Sequence, residues 1–387
     1  MSRRPFSAGH PEGHRDGHPH PHPLVTSDGP GFRADDLVQA AMDWHFGPDT
    51  GSRFWLEKAR TFSFDPRKDI TTLADLALLP DVTDEIRTVP VGDLVPKGLA
   101  GAGPMRVFET GGTTGRPRRI VDFHEFRRQA GWWSSFLDRE QVPQGGNWLL
   151  IAPTGPHAVG HVLRELTSLR SAVPLHIDLD PRWVKELMRT GRNKEAQHYI
   201  EHLVSQTMDL LTTQTVDVMF CTPPLLEVLA QSPRAVELIN RSVHTILWSG
   251  ASMDRDTRDI LRHDVFPRVK LRGAYGNTIT GVSPEYVPTA ADAPADGSYD
   301  DGSAVFVPCY TGFLMEIVDP AAGRGAVPYG ARGRVLAHTL TRETLLPNNL
   351  ERDLATRVAP VPGHPADAVA DVAPYAEAEG EIIEGVY

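Results

Sequence analysis

Thiols are almost missing from this chain. Cys221 and Cys309 are its only two cysteines among 387 residues, and no C-x-x-C spacing occurs. That excludes a disulfide framework and a thiolate zinc site. Excess positive charge is missing too: 39 Lys and Arg face 50 Asp and Glu, a formal net charge of -11. Such a surface repels a phosphate backbone, so no nucleic-acid partner is expected. Nor is there a run of about 18 apolar residues, so no transmembrane helix is expected. The first residues lack the apolar segment of a secretory signal. These absences make a cytoplasmic protein with no membrane partner the expectation. What the chain does have is a 40% hydrophobic fraction, ample for a core, with 34 glycines and 33 prolines to punctuate it.

Residues 1–30 form a tail rich in His, Pro and Gly that has little to bury and is expected to be disordered. Its histidines, among them His10, His14, His18, His20 and His22, show no spacing that fixes a metal geometry. "ADDLVQAAMDWHF" reads as a helix with Leu37, Ala40, Ala41 and Trp44 on one face. From about 106 the text alternates. "RVFET" is a strand. Asp122 with Glu125 reads as a helix cap and its partner, ahead of Phe126, Ala130, Trp133 and Leu137 at helical spacing. "NWLLIAP", "VPLHIDL", "VDVMFCT", "HTILWSG" and "VKLRGAYG" read as strands. Between them lie a helix with Ile200, Leu203, Val204, Met208 and Leu211 on one stripe, a helix opened by Pro223 and Pro224, and a helix over 254–266. Continuous apolar strands alternating with helices argue for a parallel sheet covered on both faces. After about 285 helical periodicity stops, and short strands such as "SAVFVP", "GFLMEIVD" and "GRVLAHTL" imply a β-rich subdomain, 286–357, behind an α/β core, 31–285. Residues 358–387 are a short acidic remnant.

The stretch "ETGGTTGRP" (109–117) gathers backbone freedom and hydroxyls just after a strand. Successive amides of Thr110, Gly111, Gly112, Thr113, Thr114 and Gly115 suit an anion, and Arg116, Arg118 and Arg119 follow at once. It is neither a Walker A loop, since no G-K-[ST] is present, nor a G-x-G-x-x-G fingerprint.

"TGGTTGRPR" (110–118) resembles the phosphate-binding signature of the adenylate-forming superfamily, [ST]-[SG]-G-[ST]-T-G-x-P-K, with Arg118 in place of the lysine. That group includes acyl- and aryl-CoA synthetases, peptide-synthetase adenylation domains and firefly luciferase. Further blocks follow in the same order. "ILWSGASM" resembles the turn that borders the adenine, filled by Gly250 and Ala251. "AYGNT" resembles Y-G-x-T-E. The resemblance implies that Tyr275 stacks on the adenine, that Gly276 and Asn277 lie beside it, and that Thr278 approaches the α-phosphate. "LERDLAT" resembles the [TR]-[GR]-D-L block in the style of phenylacetate–CoA ligases, so Asp353 would accept both ribose hydroxyls. "PTGPHAVG" places His157 at the acyl pocket, where the resemblance also puts residues around Gly273 and Ala274; Trp132 and Trp133 on a neighbouring helix are further pocket candidates. The implied fold is the large α/β domain of these enzymes: two parallel-rich sheets covered by helices, a distorted β-barrel subdomain, and a C-terminal lid domain largely absent.

Two departures matter. Ile279 stands where Y-G-x-T-E ends in a carboxylate that helps to hold Mg2+. An alkyl side chain cannot ligate a hard cation, so the ATP phosphates, water or another carboxylate such as Glu285 must serve. No Lys or Arg follows Arg357, so the lid lysine of the full-length enzymes has no counterpart. Arg118 is a candidate for covering that charge. Short relatives of this style resemble the adenylases of phenazine biosynthesis. The implied activity is ATP- and Mg2+-dependent adenylation of a small aromatic acid in secondary metabolism. A reductase, carrier protein or other partner would perform the second step. An arylamine diazotase using nitrite, or a nucleotide-binding homologue with weak catalysis, is the alternative, and a homodimer stays open.

Overall fold

The computed structural model describes residues 24, 33–110, 115–288 and 302–375. Gly111, Gly112, Thr113 and Thr114, the histidine-bearing tail and the end of the acidic remnant lie outside the described residues.

Helix α1 (Ala34–His45) buries Leu37, Val38, Ala41 and Trp44. The short α2 (Arg53–Ala59) is capped by the Ser52 hydroxyl, which accepts from the Trp55 amide at 3.3 Å. Strands β1 (Arg106–Glu109) and β2 (Arg119–Asp122) form a two-stranded antiparallel hairpin with Phe108 opposite Ile120. The glycine-rich stretch therefore lies in sequence between two paired strands. Helix α3 (Glu125–Arg139) follows, with Phe126, Ala130, Trp133 and Leu137 buried as the spacing predicts. The expected cap is different. Asp122 ends β2, and its Oδ1 accepts from the Phe126 amide at 2.9 Å, while Glu125 pairs with Arg128 at 2.9 Å instead of turning back. The strand runs through Asp122, so the helix starts at Glu125 with His124 at its N-cap, two residues later than a cap at Asp122 would place it.

The alternating region then runs β3 (Asn147–Ala152), α4 (Ala158–Leu169), β4 (Val173–Asp178), α5 (Pro181–Arg189), α6 (Asn193–Thr213), β5 (Val218–Cys221), α7 (Pro223–Ala230), α8 (Pro233–Ser242), β6 (Thr245–Trp248), α9 (Arg255–Ile260) and β7 (Lys270–Asn277). Asp180, Ser232 and Asp254 cap α5, α8 and α9 by accepting first-turn amides. The helix expected over 254–266 widens into a π-helical turn at Leu261–Val265. Strand β3 shows why the apolar runs are continuous. Leu149 and Ile151 join one cluster, with Leu203, Leu226 and Leu238 of α6, α7 and α8. Trp148 and Leu150 join the opposite one, with Trp133, Leu137, Val162 and Leu166 of α3 and α4. A strand covered on both faces has no polar side to alternate with, and each large side chain so buried contributes roughly 1.5–3 kcal/mol.

Strands β4, β3, β5, β6 and β7 are mutually parallel. The ladder continues antiparallel through β8 (Gly281–Tyr286), β9 (Val305–Phe306), β13 (Ala368–Pro374), β12 (Leu345–Val358), β11 (Arg332–Leu340) and β10 (Phe313–Val318). The α/β class stands as read from the sequence. The β-rich part continues one eleven-stranded order among the described residues. Among the described residues no helix is long and apolar enough to cross a membrane.

Candidate nucleotide and acyl site

Successive strands are added on opposite sides of β3, first β4 and then β5. Loops leaving the carboxyl ends there diverge to opposite faces and open a crevice, the usual ligand position in such sheets. A cavity of about 640 Å³ lies there, walled by Pro153, His157 and Ala158 after β3, by Phe220 of β5, by the 249–253 turn after β6 and by the end of β7. The hairpin docks against the same edge: the Glu109 amide donates to Pro156 O at 2.7 Å, and the Thr278 hydroxyl reaches Glu109 O at 3.5 Å.

The structure brings two of the sequence candidates together. Asp353 and Tyr275 both line the cavity, and the Tyr275 hydroxyl donates to Asp353 Oδ2 at 2.8 Å. Burial, then the Asp353 charge, pushes the phenol well above its ordinary value, so it remains a donor at neutral pH. A carboxylate has about four lone-pair directions, so one phenolic donor leaves acceptors for a diol. Strand β12 bulges here: Leu350 faces Leu336 and Leu354 faces Arg334, so Glu351, Arg352 and Asp353 share the single opposing Val335. Arg334 holds the bulge by donating to Glu351 O at 2.8 Å. Bulges beside sites commonly re-aim side chains in this way.

Gly250 and Ala251 line the cavity in the turn after β6, where Gly250 has φ +89°. Gly276 needs to be glycine: its φ is +146°, and a Cβ would stand 1.8 Å from Gly281 O. Asn277 braces the turn it starts, its Oδ1 accepting from the Ile279 and Thr280 amides at 2.8 and 3.0 Å. Its Nδ2 donates to Glu351 Oε1 at 3.2 Å.

At the hairpin neck, Thr110 and Arg118 line the cavity, and the Arg118 amide donates to Thr110 Oγ1 at 3.0 Å. The Arg118 guanidinium is held by Thr83 O at 2.7 Å and Asp84 at 3.2 Å, partners some 35 residues distant that no local reading could supply. Arg119 pairs with Glu109 at 3.2 Å. Gly115, with φ +129°, is exposed and off the cavity wall.

His157 lines the cavity as the residue before α4. Burial, then the neighbouring Arg182 cation, holds its imidazole below the ordinary value, so it is neutral at pH 7. Beside it Phe126, Val162, Phe220, Ala274 and Val282 make an uncharged slot. Gln129 also borders the slot, but its amide is committed to Val282 N and Glu125 at 3.1 Å each. Trp132 and Trp133 do not line the cavity. Trp133 is 2% exposed in the core, and Trp132 packs with Phe136, Tyr310 and His364 on the far side of α3. Gly273 is likewise off the wall, its amide donating to Glu285 at 2.6 Å. That bond and Arg262 at 3.4 Å engage Glu285 away from the cavity, which removes it as a metal candidate. Cys221 is buried, and its thiol is pushed up to about 12, consistent with packing alone.

Sequence reading passed over Glu351. It lines the cavity two residues before Asp353, with Oε1 accepting from Asn277 and Asn349. Burial and the Asp353 charge push it up to about 7. It is the β12 bulge, which no local spacing announces, that carries both carboxylates to the cavity wall. Among the described residues no group of three or more His, Cys, Asp or Glu is arranged to hold a metal ion. Ile279 is 3% exposed and packed with Leu314, Leu340 and Leu345. The residues present therefore fit an ion held chiefly by substrate phosphates plus one carboxylate, the usual magnesium mode, and not an all-protein cage.

No family model matches the chain, and no curated protein matches it. Solved structures do match, and they define the fold. The 2-hydroxyisobutyryl-CoA ligase, in an open conformation in complex with 2-HIB-AMP and CoA, aligns with TM-score 0.61 at 17% identity, over 87% of this chain and 72% of that one. The same ligase in its thioesterification state aligns with TM-score 0.59 at 14% identity, over 89% and 68%. The chain thus has the fold that its motifs led us to expect, that of adenylate-forming enzymes.

Proposed function

We propose that the protein adenylates an aromatic carboxylic acid with ATP, giving acyl-AMP and pyrophosphate for a partner's second step in secondary-metabolite biosynthesis. The observation that carries this reading is the Tyr275–Asp353 pair, set at 2.8 Å in one cavity with Thr110 and Arg118 of the hairpin neck. In the proposed reaction an acid oxygen forms a bond to the α-phosphorus while the bridging bond to the β-phosphate breaks, and pyrophosphate leaves with the electron pair. No covalent enzyme intermediate is needed, so the protein's task is alignment and charge neutralisation. Tyr275, flanked by Gly250 and Ala251, takes the base, and Asp353 takes the ribose. The loop amides from Thr110 to Gly115, with Arg118 oriented by Thr83 and Asp84, receive the β- and γ-phosphates. Thr278 lies at the α-phosphate. A bound Mg2+ would neutralise phosphate oxygens and ease departure of pyrophosphate.

The acid lies in the slot of Phe126, Val162, Phe220, Ala274 and Val282, with neutral His157 at its mouth. A slot with two aromatic rings and no charged side chain favours a flat uncharged ring. Acid-dependent exchange of labelled pyrophosphate into ATP tests the reading. Benzoate-type and phenazine acids should support exchange, and amino acids should not. Exchange that stays at background with every acid, or AMP release that requires an arylamine and nitrite, would overturn it.

A further inference from the structure

Position 279 and the β12 bulge meet through one side chain. Asn277 accepts from the Ile279 amide at 2.8 Å and donates to Glu351 Oε1 at 3.2 Å, so the Glu351 carboxylate lies across a single amide group from the turn that carries Ile279. Both bonds to Glu351, from Asn277 and Asn349, fall on Oε1, and Oε2 accepts none from the described residues. Glu351 lines the same cavity as Thr278 and Asp353, the two residues that the functional reading places at the α-phosphate and the ribose. A second carboxylate beside Asp353 in a cavity meant for a polyphosphate is unfavourable by itself, because it repels both neighbours. A cation between Glu351 and the phosphates reverses the sign of that interaction.

We propose that Glu351 is the protein carboxylate that holds the metal of magnesium–ATP, replacing from β12 the acidic side chain that Ile279 lacks. The inference rests on the reading of this cavity as the ATP site. One carboxylate with several waters and phosphate oxygens completes an octahedral shell of the kind magnesium adopts. Asn277 and Asn349, by bonding to Oε1, fix the orientation of the carboxylate, the part that outer partners of metal ligands commonly play.

The test is the affinity of a non-hydrolysable ATP analogue, by calorimetry, for the wild type and Glu351→Gln, each with Mg2+ and with EDTA. Glutamine keeps the volume and an acceptor for the two asparagines. With Mg2+ the variant should bind at least about tenfold more weakly. With EDTA it should bind as well as the wild type or more tightly, because a charge that repels the triphosphate is gone. Equal losses in both conditions, or no loss in either, would overturn the proposal. A wild type that binds no nucleotide in either condition would instead refute the functional reading. Should the variant fail to fold, wild-type protein carrying carboxyl-13C glutamate gives a second readout. The Mn2+–nucleotide complex should show a carboxylate coupling by electron–nuclear double resonance, and its absence would also overturn the proposal.

Discussion

Removing Asp353 tests the sugar end of the site, and a choice of nucleotide makes the result specific. Asp353→Ala deletes the acceptor of the Tyr275 hydroxyl and, in this account, of both ribose hydroxyls. Hydrogen bonds to a charged acceptor contribute ~1.5–3 kcal/mol each, and two of them share one carboxylate, so the expected loss is ~2–4 kcal/mol, about 30- to 1,000-fold in Kd. The change also strands the Tyr275 phenol, at a cost of ~1–3 kcal/mol in stability. Asp353→Asn is the milder partner, because its carbonyl can still accept from Tyr275. Calorimetry with ATP and with 2′,3′-dideoxy-ATP separates the two effects. The dideoxy nucleotide has no ribose hydroxyls to lose, so wild type and both variants should bind it alike. If Asp353→Ala bound ATP as tightly as wild type, or weakened the dideoxy nucleotide as much as ATP, the ribose assignment would be wrong.

Three further predictions follow from the same geometry. His157→Ala should lower kcat/KM for the aromatic acid on the order of tenfold through lost positioning and leave the Kd for ATP unchanged; a weakened ATP affinity would place the imidazole elsewhere. Gly276→Ala meets φ +146° and a carbonyl 1.8 Å from the new methyl, so ~2–4 kcal/mol of stability should go, and an unshifted urea midpoint would refute it. Glu343 is pushed from 4.5 up to about 7 by burial, then by Glu125 and Asp122, so the native state holds its proton more tightly than the unfolded chain. That contribution to stability is present below about 4.5 and is lost as pH rises through about 7; Glu343→Gln should flatten this part of the Tm–pH curve, and an unchanged slope would count against it.

The parallel half of the sheet was legible because both its faces are buried, leaving the unbroken apolar runs of β3, β5 and β6. That Tyr275 and Asp353 would meet was legible because each belongs to a short block whose order in the chain the resemblance follows, and the fold brings both to one cavity. Contacts across long sequence separations were not. Nothing near Arg118 announces Thr83 and Asp84, and nothing near Glu285 announces the Gly273 amide. The Asp122 and Glu125 pair fits a cap in sequence, yet the antiparallel pairing of β2 carries Asp122 into the hairpin and starts the helix later. Trp132 and Trp133 are adjacent on α3, about 100° apart around the axis, and both face packed protein rather than the cavity. Glu351 stands in the same block as Asp353, but its place on the cavity wall depends on the β12 bulge and on Asn277, 74 residues away.

The central claim is that one nucleotide spans the cavity from the hairpin neck to the β12 bulge. A crystal structure with Mg2+ and a non-hydrolysable ATP analogue tests it directly. The account predicts ribose hydroxyls within hydrogen-bond reach of Asp353, the base on Tyr275 and the triphosphate along Thr110–Gly115. A nucleotide bound elsewhere, or one whose sugar lies away from Asp353, would contradict it.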